Sequence, residues 1–83
     1  MWRKEEITCK IIDSFGVISE RTSNGVRWTR EVNIVKWNNN EPKVDIREWN
    51  ADHSKRNKGI TLTFEEAEAV ADALNRIMAE RSE

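Results

Sequence analysis

The apolar period of this chain changes once, at Thr63, and that change limits the fold more than any other feature of the sequence. Before Thr63 apolar and polar residues alternate in short runs, the period of two expected of a half-buried strand. In residues 26–38, Trp28, Val32 and Ile34 fall on one face, with Arg27, Thr29, Glu31, Asn33, Val35 and Trp37 on the other. Lys43 to Trp49 repeats the pattern, with Val44 and Ile46 opposed to Lys43, Asp45, Arg47 and Trp49. Residues 7–20 carry Ile7, Thr8, Ile11, Ile12, Phe15, Val17 and Ile18 and predict a first strand. Its alternation slips at Phe15-Gly16, which marks a bulge or bend. Gly59 to Leu62 predicts a short fourth strand. Beyond Thr63, Ala67, Val70, Ala71, Leu74, Ile77 and Met78 form one stripe at helical spacing.

The joints agree with this division. Asn24-Gly25 between two strand-like runs is a strong hairpin signal. Asn38 to Pro42 has turn chemistry throughout, and the polar stretch Asn50 to Asn57 predicts an exposed loop. Thr63 with Glu66 three residues on has capping-box form. The element order is therefore β-β-β-β-α, an α+β fold, with residues 1–6 and 81–83 as tails around a domain at 7–80. One sheet and one helix cannot cover both faces of the sheet. Val44 and Ile46 are expected to join Val32 and Ile34 under the helix. The opposite face would then stay open, presenting Val35, Trp37, Lys43, Arg47 and Trp49.

A chain of 83 residues buries only about 60–70% of its unfolded surface, and domains this small usually need a staple. Cys9 is the lone cysteine and His53 the lone histidine, so neither a disulfide nor a zinc cluster is available. A second copy is the staple left. No metal or cofactor is implied. The charged start Met-Trp-Arg-Lys-Glu-Glu lacks the apolar core of a signal peptide, and no run reaches the length of a membrane span. Cytoplasmic residence is the default expectation.

Net charge is -1, but it is unevenly spread. Residues 21–58 hold nine basic against five acidic side chains, and residues 59–83 hold two against six. Local potential steers a polyanion more than net charge does. Indoles interleaved with cations on an open face suit single-stranded nucleic acid, because unpaired bases stack on indoles while phosphates seek cations. Three alternatives stand beside this reading. The tryptophans can serve cross-strand packing or a dimer contact. Lys43 and Arg47 can form surface ion pairs with Asp45. The tryptophan face can also anchor a partner polypeptide as an adaptor. Catalysis is not expected: Asp45 and Glu48 project to opposite faces, Cys9 and His53 come from distant segments, and no glycine-rich phosphate loop exists.

Three linked motifs carry a resemblance: Trp37-Asn38 with Glu41-Pro42-Lys43, then Asp45-Ile46-Arg47 with Trp49, then Lys58-Gly59-Ile60-Thr61-Leu62 before the acidic-capped helix. Together they resemble the transcriptional coactivator family called positive cofactor four, nearest to its bacterial YdbC-like branch, over about residues 7–75. The resemblance implies a curved four-stranded antiparallel sheet and a helix, dimerised through the helix region, here at Val70, Leu74 and Ile77. It implies binding of single-stranded DNA with little sequence preference. Transcription or DNA replication and repair are the expected settings, and single-stranded RNA is an alternative ligand because stacking is not strongly selective for sugar type. The family's contact positions fall on Trp37, Lys43, Arg47, Trp49 and Lys58. Asn38, Lys55 and Arg56 join them as neighbours in the same motifs and loop. Asn57 replaces a glycine usual in the family; asparagine tolerates left-handed geometry better than most residues, so the loop is expected to survive the change. Asp45 is expected to orient Arg47 or Lys43, or to close a polar cross-strand ladder, and His53 to stabilise its loop.

Overall fold

The structure, a computed structural model, describes residues 7–82. Strands β1 (Cys9–Ser23), β2 (Val26–Trp37), β3 (Lys43–Trp49) and β4 (Ile60–Leu62) precede a helix, α1 (Phe64–Arg81). The strands form one antiparallel sheet in the order β1-β2-β3-β4, each beside its neighbour in sequence. The expected first tail, residues 1–6, lies outside the described residues, and the helix runs one residue past the expected boundary at 80.

The β1–β2 hairpin turns on Asn24 (φ 50°) and Gly25 (φ 78°), between the paired residues Ser23 and Val26. Two consecutive positive φ angles define the type I′ turn, whose twist matches that of the flanking strands. The single slip expected near Phe15 is one of three register shifts: Ile11/Asp13, Ser14/Gly16 and Val17/Ser19. The unpaired residues are Ile12, Phe15 and Ile18, and their side chains are 48%, 66% and 58% exposed. Each bulge bends and twists the strand. Here they also break the long outer edge of the sheet, which would otherwise invite edge-to-edge pairing.

The helix begins as expected. Thr63 Oγ1 accepts from the Glu66 amide at 3.0 Å and Glu66 Oε1 accepts from the Thr63 amide at 2.9 Å, completing the capping box. Its packing differs from expectation. The helix touches only β3 and β4, and none of its residues is buried. Val32 and Ile34 on β2 therefore lie outside its reach, and the expected helix-covered core does not form within one copy. The radius of gyration is 15.4 Å, against about 12 Å for a compact chain of this length.

The most deeply buried side chains lie on the other face, the one expected to be open, although Glu48 and Leu62 on the first face are also buried, at 7% and 9% exposure. Val35 and Trp49 are 0% and 1% exposed, and Asn33 and Asp45 are 1% and 0%. The sheet curls toward this face, and the loop after β3 folds over it.

Gly59 fits where that loop rejoins the sheet. A Cβ there would overlap Arg47 Cβ and the Ile46 carbonyl oxygen and stand 2.9 Å from Arg47 Cα. Gly59→Ala is expected to destabilise the domain by about 1–3 kcal/mol through overpacking. A lowered urea unfolding midpoint checks this, and an unchanged midpoint would show that β4 can shift freely.

Candidate nucleic-acid interface

Asp45 is the centre of the concave face. Arg47 reaches it with two parallel bonds, Nε to Oδ1 at 2.6 Å and Nη2 to Oδ2 at 2.9 Å. Thr61, paired with Asp45 across β3–β4, donates its hydroxyl to Oδ2 at 2.8 Å. Arg47 Nη1 donates to the Asn57 carbonyl at 3.1 Å, and Nη2 to Thr61 Oγ1 at 3.4 Å. Both expected roles of Asp45 are thus present: it orients Arg47 and closes a polar cross-strand ladder. The pair is buried, with side chains 0% and 12% exposed. Removing one partner of such a pair costs about 3–5 kcal/mol.

The guanidinium of Arg47 also lies over the Trp37 ring, 4.7 Å from its centroid. The register makes this contact informative. Arg47 pairs with Glu31, six residues along β2 from Trp37. In a flat strand six residues span about 20 Å, farther than an indole and a guanidinium reach toward each other. The contact closes only because the sheet curls. Arg56, from the loop, stands over the same ring at 5.0 Å. Cation–π contacts of this kind contribute about 0.5–1 kcal/mol each at exposed sites.

Trp37 is half-buried, as are Lys43 and Arg56, whereas Lys55 and Lys58 are exposed. Among the described residues, Lys43, Lys55, Arg56 and Lys58 engage no carboxylate. Four arginines in the basic segment do: Arg21 and Arg30 meet Glu48, Arg27 meets Glu20, and Arg47 meets Asp45. Lys36 on β2 is likewise free of a carboxylate, so the unpaired cations of the basic segment are Lys36, Lys43 at the start of β3, and the loop residues Lys55, Arg56 and Lys58, of which Arg56 lies over Trp37.

Family membership follows from sequence comparison. The family model for Transcriptional Coactivator p15 (PC4) matches residues 25–73. The chain belongs to that family. A Treponema pallidum (strain Nichols) protein, described only as uncharacterized, is 38% identical over 66 residues, covering 80% of this chain and 74% of that one. The p15 (PC4) match runs from the hairpin turn into the helix and takes in every residue of the cluster around Trp37.

Several p15-type positions sit differently from expectation. Trp49 does not stand on an open surface. At 1% exposure it is sealed beneath the loop, through a backbone bridge to Arg56 and a tilted contact with the His53 ring at 5.5 Å. Loop closure, which parity does not reveal, buries it. Arg47 is not a free cation, since Asp45 takes up its charge. Asn38 lies beside Trp37, but its Oδ1 accepts from the Thr8 amide at 2.9 Å and serves the chain leading into β1. The left-handed residue of the loop is His53 (φ 61°), not Asn57. Asn57 instead donates its amide and its side chain to Glu48, at 3.1 and 3.0 Å.

Sequence reasoning missed Glu31 and Asn33, which are 7% and 1% exposed. Glu31 accepts from Thr29 Oγ1 at 2.6 Å and from Asn33 Nδ2 at 3.2 Å. His53 Nε2 sits 3.0 Å from both Glu31 oxygens. Burial raises the Glu31 carboxyl, but the bonds from Thr29, His53 and Asn33 outweigh it and hold the group below its ordinary value. The available signal was parity, because both residues fall on the face of Trp37 and Asp45.

On the opposite face, hydrogen bonds from Arg21 and Asn57 hold the Glu48 carboxyl down at about 2, against an ordinary 4.5. A carboxyl lowered by folding stabilises the fold above its unfolded value, and that contribution fades as pH falls toward the folded value. Glu31 acts with the same sign. The urea midpoint is therefore expected to fall between pH 4.5 and 2, with a lower midpoint at pH near 7 and a shallower acid decline in Glu48→Gln. Parallel declines in the two proteins would assign the acid sensitivity to other carboxylates.

Proposed function

We propose that this chain is a largely sequence-independent single-stranded DNA-binding protein that grips the strand at Trp37. The observation that carries the reading is the cluster itself. A half-buried indole has Arg47 and Arg56 over its ring, and Arg56 engages no carboxylate among the described residues. Membership of a nucleic-acid-binding coactivator family supports it. An unpaired base stacks on the indole or on the guanidinium that extends it, while Lys43, Lys55, Arg56 and Lys58 take phosphates. Arg47 contributes through the indole it supports. Trp49 acts from beneath, as the floor on which the loop rests. A duplex keeps its bases stacked inside, so it uses the cations without the indole. The work is binding rather than catalysis, in transcription or in replication and repair.

The chain acts as a homodimer in this reading. Val70, Leu74, Ile77 and Met78 are 38%, 54%, 52% and 64% exposed on one helical stripe. Among the described residues, the buried hydrophobic set of a single copy is Val35, Trp49 and Leu62. Burying apolar surface contributes about 25 cal/mol per Å², so a second copy over this stripe supplies the core that one copy lacks.

Trp37→Ala is expected to weaken binding to oligothymidine by about 1–3 kcal/mol. Lys58→Ala should flatten the log–log salt dependence by about 0.7, the share of one phosphate on a single strand. Fluorescence titration at several salt concentrations, with matched DNA, RNA and duplex, measures both. Affinity that ignores salt would favour a polypeptide partner instead. Sedimentation should give a dimer mass, and Leu74→Asp should give monomer or unfolded chain. A folded monomer from the unmodified sequence would remove the dimer.

A further inference from the structure

The loop between β3 and β4 carries Lys55, Arg56 and Lys58, and its internal bonds make it one piece. Asn50 Oδ1 accepts from the Lys55 amide at 2.9 Å, Asn50 O from the His53 amide at 3.1 Å, and Asp52 Oδ1 from Ser54 Oγ at 2.6 Å. These bonds shape the loop without attaching it to the sheet. At its C-terminal end Asn57 and Arg56 attach it to Glu48 and Trp49. At its tip, the side-chain attachment to β2 is His53 on Glu31.

His53 holds φ 61°, a conformation that residues with a Cβ seldom adopt. Its Nε2 is equidistant from the two Glu31 oxygens, and its ring lies against Trp49. Thr29 and Asn33 hold Glu31 from its own strand, and Arg47 is its partner across the β2–β3 register. The receiving carboxylate is thus fixed before the loop arrives. Arg56, three residues beyond His53, lies over Trp37.

We infer that His53 is a positioning residue for strand binding: by fastening the loop tip to Glu31, it holds Arg56 over Trp37. This rests on Trp37 being the strand-binding site, and the experiment separates the two ideas. The proteins are the unmodified chain, His53→Ala, His53→Gln, Arg56→Ala and the His53→Ala/Arg56→Ala double variant, each checked for folding by urea unfolding. Alanine and glutamine share the same backbone penalty, but only glutamine can donate to Glu31. The first readout needs no nucleic acid: in NMR, the Arg56 side-chain protons should be shifted upfield by the Trp37 ring. That shift should vanish in His53→Ala and persist in His53→Gln.

The second readout is affinity for oligothymidine. His53→Ala should bind about twofold to fivefold more weakly, the span of one cation–π contact at an exposed site, and His53→Gln should bind like the parent. In the Arg56→Ala background, His53→Ala should have no further effect. The inference is overturned if the ring shift survives His53→Ala, or if the two losses add independently. It is overturned as well if His53→Ala binds more tightly, since Arg56 would then obstruct Trp37. Failure of the unmodified chain to bind oligothymidine would instead remove the strand-binding reading, while the NMR shift still decides whether His53 positions Arg56.

Discussion

Asp45 holds together parts of the chain that share no local reason to meet. Its carboxylate fixes the Arg47 guanidinium in a two-point grip and takes the Thr61 hydroxyl from β4. Arg47 in turn reaches the Asn57 carbonyl in the loop and the face of Trp37 at the far end of β2. One fully buried carboxylate therefore joins β3, β4, the loop and the candidate binding residue. A planar guanidinium makes this possible, because it can donate along its edge and stack on its face at once. A lysine at position 47 would keep the charge and lose the geometry.

The concave face is polar in composition yet buried, and its internal pairing explains how both can hold. Buried charges are tolerated when partnered and hydrogen-bonded. Glu31 has three side-chain donors, and Asp45 has Arg47 and Thr61. Such a network adds little net stability over an apolar core, but it is costly to disturb. It leaves the cations at the rim free of carboxylates, which is the condition for attracting an external polyanion. The opposite face repeats the device with Glu48 between Arg21 and Arg30. Asn57 links the two networks, touching Glu48 with its side chain and Arg47 with its carbonyl.

The remaining apolar surface is arranged along edges and on the helix. The bulge residues Ile12, Phe15 and Ile18 project from the outer strand, and the helix stripe projects beyond β3 and β4. A sheet of one layer with a single helix has no other place to put them. The elongated shape of one copy, 61 × 34 × 21 Å, follows from the same shortage of layers.

Local pattern alone determined the element order, the Asn24-Gly25 turn, the extent of β3 and the capping box at Thr63, because alternation, turn dihedrals and caps act over a few residues. It also placed Trp37, Lys43, Asp45 and Arg47 on one face, since parity along paired strands is a local property. Which face is buried was decided only in three dimensions. Three bulges and the curl of the sheet bring Arg47 across to Trp37, and a loop that is polar in sequence closes over Trp49. Side-chain reach across a curved sheet and closure of a loop depend on residues far apart in the chain, and no periodicity within one strand encodes them.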